Sequence, residues 1–524
     1  MAGRKARHFR LGNMTSVKHA EALARMAQFP LGDPRAALGA GVALLNADYP
    51  ELLLPHATEC AARHPGSAQA QQLLGLAARA CGESPTAYNA FRTAAALAPR
   101  DSLIAHSHAR TALEAGLPAA ALFAAAGPLA PQDGTILTGH AAALLAEGRA
   151  DEGIALLTGI LAANPLWLDG HRSLAALRGQ MGMDPLASLT DALTRTPQSP
   201  DLHHLSISLA LQARDLVRAG DGAARAMIAL GPQRWLSLMA AHIASERGAL
   251  DEADQHFAAA GPSADPGEAW MRARHLIRRG EALPAAALLE PLLGQPGAHA
   301  LWPYLSLAWR MADDPRADWL ESDPRLVGVY DIGYSESELA ALAAHLRTLH
   351  QAKAPPLDQS VRGGTQTDGN LLLRIEPAVQ DLKARLLAIV NQHVAQLPPP
   401  DRTGQLWHPT LLAARAPLRI AGAWSVRLEN AGFHTDHVHP QGWFSSALYV
   451  ALPETLGQGE DDHAGWLSLG EARDLVPGLA PLRLVEPKPG RLVLFPSIMW
   501  HGTRPFPQGE RLTVAFDIAR PRQD

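Results

Sequence analysis

The sequence predicts a multidomain α plus β chain: a helical repeat solenoid followed by an all-β, barrel-like domain with flanking helices. Two observations predict it. Prolines recur at Pro65, Pro99, Pro131, Pro165, Pro197, Pro232 and Pro266, at intervals of 34, 32, 34, 32, 35 and 34 residues. From Leu418 onward the chain changes to short apolar runs separated by Gly and Pro, the pattern of strands in a closed β core. At 524 residues there is room for two or more domains.

The first three hundred residues are rich in Ala and Leu and poor in β-branched residues, and read as helix. Gly82, Gly116, Gly148, Gly248 and Gly280 keep step with the prolines. Glycine lets the chain turn between two short helices, and proline ends the second. Such a period marks a repeat array. A long coiled coil is excluded, because proline breaks the chain every 30-odd residues. After a basic segment, 1–29, we expect seven to eight units within 30–310; around Asp215 the glycine is absent. Leu74, Gly75, Gly82, Ala87, Phe91, Ala94 and Pro99 resemble a tetratricopeptide repeat, and Gly248, Ala253, Phe257 and Ala260 repeat four of those positions at identical intervals. Other units are degenerate, with Leu157 and Ala125 standing where Phe91 does. The resemblance implies a stacked solenoid whose groove takes a protein or peptide partner, or a scaffold arm without a ligand.

A junction is expected at 311–325, before a second domain at 326–524. Ser335 to His350 reads as an amphipathic helix, with Ser335 as N-cap and Glu338 as its capping-box partner. Ala378 to Ala395 reads as another, closed by Pro398, Pro399 and Pro400. The strand-like runs are Trp443 to Val450, Arg491 to Phe495 and Arg511 to Phe516, with a turn at Pro489-Gly490.

The chemistry concentrates in Gly432-Phe433-His434-Thr435-Asp436-His437-Val438-His439-Pro440, joined about 60 residues later by Trp500-His501-Gly502. Imidazole and carboxylate suit first-row metals, and residues i and i+2 of an extended strand point to one side. A close pair plus a distant histidine can hold one face of an ion and leave the other open. Two overlapping pairs are available, His434-x-Asp436 and His437-x-His439, of opposite parity. A regular strand cannot present both. Zinc competes for histidine, but Cys60 and Cys81 lie far from the cluster, which excludes a thiolate-rich structural site. Arg511 offers a planar fork for a carboxylate; Thr513 shares its strand face, and Ser445 and Tyr449 share another.

Residues 325 to 520 resemble the bacterial and phage 2OG-Fe(II) oxygenases. The resemblance rests on His437-Val438-His439-Pro440 running into Ser445 to Tyr449, on Pro487 to Ser497, on Trp500-His501-Gly502, and on Arg511 to Phe516. Gln359 to Thr367 resembles the family's glycine- and glutamine-bearing entry loop. It implies a double-stranded β-helix (jelly roll), Fe(II), 2-oxoglutarate as cosubstrate and O₂, with hydroxylation as the reaction. Position by position it favours His437, His439 and His501 as ligands, His439 standing where a carboxylate is usual; Asp436 with His434 is the alternative. It places Arg511, Thr513, Ser445 and Tyr449 on the cosubstrate. His434 is a group near the substrate or a packed loop residue. Two other classes remain in view: a cupin-like metal enzyme without 2-oxoglutarate, and a non-catalytic adaptor with a remnant β domain.

Composition is globular, 47% hydrophobic and 19% charged. A net charge of −5 implies no general attraction to nucleic acid. Arg4, Lys5, Arg7, Arg10 and Lys18 make the first residues basic, but no apolar segment follows as in a secretory signal. No transmembrane run is found, and two cysteines fit a reducing cytoplasm.

Overall fold

The computed structural model describes residues 15–357, 359–454, 456 and 463–523; the basic run before Thr15 lies outside them. Helices fill the first part. The helix Thr15–Ala27 buries Ala22 and Met26 against Tyr49, Leu53 and Ala57, so helical packing begins inside the segment expected to precede the array. Helix–turn–helix pairs then follow, from Pro34–Asn46 with Pro50–Arg63 to Pro266–Arg278 with Ala282–Leu289.

Each pair turns through one residue of positive φ. These are Asp48, Gly82, Gly116, Gly148, Gly182, Arg214, Gly248 and Gly280. A ninth turn, at Asp313, joins Trp302–Met311 to Arg316–Glu321. The array among the described residues therefore runs past residue 310, through most of the segment expected to be a junction. The reason is local: Asp48, Arg214 and Asp313 adopt a left-handed conformation without glycine, so glycine spacing cannot mark those turns. The expected small-residue packing is present. Gly75 lies against the ring of Phe91, where a Cβ would stand 2.6 Å from two ring carbons.

Among the described residues the second part holds eleven strands: β1 Gly328–Asp331, β2 Val361–Gln366, β3 Arg402–Thr403, β4 Leu406–Trp407, β5 Ile420–His434, β6 Gly442–Ala451, β7 Leu467–Leu469, β8 Arg483–Val485, β9 Arg491–Pro496, β10 His501–Thr503 and β11 Glu510–Ala519. A six-stranded antiparallel sheet has the order β1-β9-β6-β11-β5-β2, and a three-stranded sheet the order β10-β7-β8. The glycine-rich segment read as an entry loop is the edge strand β2. The expected helices are present as Glu336–Thr348, with the Ser335/Glu338 capping box, and Pro377–Gln396.

Strand alternation decides what each face meets. Leu512, Val514, Phe516 and Ile518 of β11 pack with Leu342, Leu346, Leu382 and Leu386 of those two helices. The opposite face of the large sheet meets the small one, where Tyr449, Val493 and Phe495 pack with Leu467, Leu469 and Val485. The space between the sheets, near β10, holds the site.

The β domain also lies along the turn edge of the solenoid. Helix C-terminal carbonyls lack partners within their own helix, and here the second domain supplies donors. Lys383 Nζ donates to Gly82 O at 2.6 Å, Ile375 N to Ala115 O at 3.1 Å and Lys353 N to Gln180 O at 2.7 Å. Arg419 pairs with Asp48 and Glu51 at one end. At the other, Trp500, Ile498 and Leu475 enter one apolar cluster with Trp302, Leu305 and Trp309. No helix among the described residues is long and apolar enough to cross a membrane.

Candidate active site

His437 and His439 sit on the connection between β5 and β6, and His501 opens β10. A backbone bridge ties the two segments: His437 N donates to His501 O at 2.9 Å, and His501 N returns to His437 O at 3.0 Å. The close pair thus lies beyond the end of β5 rather than on a regular strand. One imidazole nitrogen from each of His437, His439 and His501 lies within 4.8 Å of the other two.

The other nitrogen of each ring is anchored. His437 Nδ1–H donates to Thr435 O at 2.7 Å, His501 Nδ1–H to Met499 O at 3.0 Å and His439 Nδ1–H to Asp517 Oδ2 at 2.7 Å. Carbonyls and carboxylates only accept, so they fix the protonated nitrogen and leave Nε2 with its lone pair. Burial, followed by the neighbouring imidazoles, holds the pKa of His437 and of His501 well below the ordinary histidine value. Both rings are neutral at neutral pH, as a metal ligand must be.

Asp517 is held in turn. Ser445 Oγ donates to Asp517 Oδ1 at 2.7 Å and lies 2.9 Å from Ser497 Oγ. Ser445, expected on the cosubstrate, lines the cavity of the three histidines and also fixes the carboxylate that holds His439. Asp517 itself was missed by the sequence reading. The signal was available: Arg511, Thr513, Ala515 and Asp517 alternate on β11 and all line the cavity that holds the three histidines.

The alternative pair is not brought together. Asp436 points to Arg473, whose Nε and Nη2 donate to it at 2.8 and 2.5 Å and whose backbone N–H donates at 2.7 Å. Its side chain is 2% exposed. Gly502 packs so closely that a Cβ there would meet Asp436 Oδ1 and Arg473. His434 does border the cavity despite its opposite parity, because the chain leaves strand geometry after β5. Ser360 Oγ lies 3.0 Å from His434 Nδ1 and 3.1 Å from His437 Nε2. Burial first, then Arg511, His439 and Arg362, push the His434 pKa down to about 3.

Arg511 is the electrostatic anomaly. Its side chain is buried, and among the described residues it forms no ion pair. Its guanidinium lies 5.0 Å from the centre of the Tyr449 ring and interacts with the Tyr449 hydroxyl, while its Nε has no hydrogen-bond partner among the described residues. Tyr449 therefore packs beneath Arg511, within the cluster between the sheets, rather than lining the cavity. Thr513 is buried beside Arg511 on the cavity wall. A buried cation without an acidic partner is costly unless a ligand supplies the anion. Three convergent imidazoles, and one guanidinium without an acidic partner among the described residues, could hold a metal ion together with a carboxylate-bearing molecule.

Residues 422–517 match the family described as "Putative 2OG-Fe(II) oxygenase". The matched segment of this oxygenase family carries all three clustered histidines, Ser445, Tyr449, Arg511, Thr513 and Asp517. No curated protein matches the chain. Among solved structures, a Pseudomonas putida prolyl-4-hydroxylase is similar at 18% identity, covering 40% of this chain and 97% of its own, with a TM-score of 0.26. HygX from Streptomyces hygroscopicus, solved with nickel and 2-oxoglutarate bound, is similar at 14% identity over 37% of this chain and 82% of its own, with a TM-score of 0.26. YrrB, a tetratricopeptide-repeat protein with an unusual peptide-binding site, is similar at 15% identity over 36% of this chain and 97% of its own, with a TM-score of 0.27.

Proposed function

We propose that the C-terminal domain is an Fe(II)- and 2-oxoglutarate-dependent oxygenase that hydroxylates a peptide or protein side chain. The observation that carries this reading is the unpaired, buried Arg511 on the wall of the cavity that holds the three imidazoles. A metal enzyme without 2-oxoglutarate has no use for that cation, and a remnant domain has no reason to keep it buried.

In this reading His437, His439 and His501 hold the iron through Nε2. His439, backed by Asp517, stands where a carboxylate ligand is usual, so the negative charge acts through the ring. Arg511 meets the distal carboxylate of 2-oxoglutarate with a planar fork, and the Thr513 hydroxyl adds a donor. Tyr449 supports the guanidinium from below. Bound iron with 2-oxoglutarate supplies activation of dioxygen for oxidation of a substrate C–H bond. The protein's share is to fix the ligand tautomers, to bury the anion-binding end and to keep that end dry.

Anaerobic Fe(II) titration with and without 2-oxoglutarate tests the reading. The visible charge-transfer band of the iron–2-oxoacid chelate should appear only when both are present. Iron loading without any band would favour the cupin-like enzyme, and no iron binding would favour the adaptor.

A further inference from the structure

The cleft beside His437 and His439 is built from both domains. Its volume is about 630 Å³, and its walls include Arg362, Trp424 and His439 of the β domain and Leu211, Gln212 and Arg214 of the solenoid. It continues into a second cavity of about 510 Å³, which shares Leu211 and Arg214 and runs past Trp270 and Arg274. Together they cross three successive first helices of the array, Pro200–Gln212, Arg234–Glu246 and Pro266–Arg278.

Charge in this cleft is unbalanced. Arg214 occupies a left-handed turn, φ 57°, at the position that glycine takes in six of the nine turns. An arginine there costs backbone strain, and its side chain reaches the mouth of the cleft. Its acidic neighbour is Asp474, at 3.3 Å, with both side chains about half exposed, a pair of little strength. Arg362 donates through Nη1 to the carbonyls of Gln359 and Val361, and forms no ion pair among the described residues. Deeper in, Arg274 and Arg278 share one carboxylate, Glu246, at 2.6 and 3.0 Å. The remaining carboxylates on the wall, Asp436 and Asp517, are taken by Arg473 and His439. Hydrogen bonding does not remove the charge of Asp517, so Arg214, Arg362, Arg274 and Arg278 outnumber Asp474, Glu246 and Asp517 by four to three.

We infer that the solenoid forms one wall of the substrate site, and that this cleft receives an extended peptide segment whose acidic side chains meet Arg214 and Arg362. Length argues for a peptide over a small acid. Neighbouring helices stand about 8–10 Å apart, so the path past three of them exceeds about 16 Å. That holds roughly five residues of extended chain. The inference rests on the oxygenase reading only for the identity of the reacting centre; the binding claim stands apart from it.

The test uses the full-length protein, immobilised with Fe(II) and 2-oxoglutarate under anaerobic conditions, and a pool of synthetic dodecapeptides randomised at every position. The retained peptides are sequenced by mass spectrometry. Wild type should enrich Asp or Glu at a fixed position by about tenfold, the size of one charge-assisted hydrogen bond. Arg214→Gly, which suits the turn, and Arg362→Gln should each flatten that enrichment, and Arg214→Glu should turn it toward Lys and Arg. No acidic enrichment, no retained peptide, or an enrichment untouched by these variants would overturn the inference. The iron–2-oxoglutarate band of the wild type, recorded in parallel, judges the oxygenase reading separately. A band without acidic enrichment sinks only this inference, and enrichment without a band sinks only the oxygenase reading.

Discussion

Several polar side chains buried in the solenoid have partners, and those at the β-domain cavity stand in a different arrangement. In the solenoid, His171 bonds to Ser188 Oγ and Pro165 O, His203 to Pro197 O, and His275 to Ser245 Oγ and Asp254. Arg274 and Arg278 close on Glu246. In the β domain, one nitrogen of each of three imidazoles turns toward the other two, and Arg511 is buried with no acid beside it among the described residues. Satisfied burial serves structure; unsatisfied burial at a cavity wall marks where a ligand completes the protein.

Matched substitutions sharpen that contrast. Removing a proposed metal ligand has the largest expected effect. His501→Ala should cut iron affinity by more than the roughly 100-fold upper end seen for outer partners of a ligand, read by metal retention after gel filtration. Next comes the solenoid ion cluster. Glu246→Gln takes the shared carboxylate from two partly buried guanidiniums and should cost about 1–3 kcal/mol in denaturant unfolding. Arg511→Met, which fills the same volume, should leave the ligand-free protein as stable as wild type or more so. If both variants lose stability equally, the contrast fails.

Trp500→Ala tests the seam. Trp500 precedes the clustered His501, donates to Pro303 O at 2.9 Å and packs edge-on against Tyr304 at 5.8 Å. Its loss should cost about 3–5 kcal/mol and lower iron occupancy with it. Unchanged occupancy would show that the solenoid does not hold this side of the site. Asp517→Asn keeps the shape and removes the charge behind His439. A 10–100-fold fall in iron affinity with little change in melting temperature is expected. The smallest effect belongs to Arg214→Gly, which relieves a strained turn and removes an exposed ion pair. Its unfolding free energy should stay within about 1 kcal/mol of wild type.

Much of this was legible in the sequence because it is periodic or local. Proline and glycine spacing revealed the array, and the H-x-H, W-H-G and R-x-T elements named the residues that meet at the site. What escaped reading depends on contacts distant in sequence or on an unmarked conformation. Arg473 captures Asp436 across 37 positions, which no local pattern reveals. Asp48, Arg214 and Asp313 make glycine-like turns without glycine, which hid repeat boundaries and the ninth pair. The glycines of β2 suggested a loop, yet they allow the close approach to β5, where a Cβ on Gly363 would stand 3.1 Å from Gly432 Cα. Asp517 was legible by alternation from Arg511, but the motif ends one residue before it.

The most direct test of the central claim is calorimetric titration of 2-oxoglutarate into the anaerobic, Fe(II)-loaded protein, wild type beside Arg511→Met. Buried charge pairs broken on one side cost about 2–5 kcal/mol. The wild type should bind stoichiometrically, and the variant should bind at least about tenfold more weakly while retaining its iron. Equal affinity in the two proteins would contradict the account, because Arg511 would then be buried for a reason other than the cosubstrate.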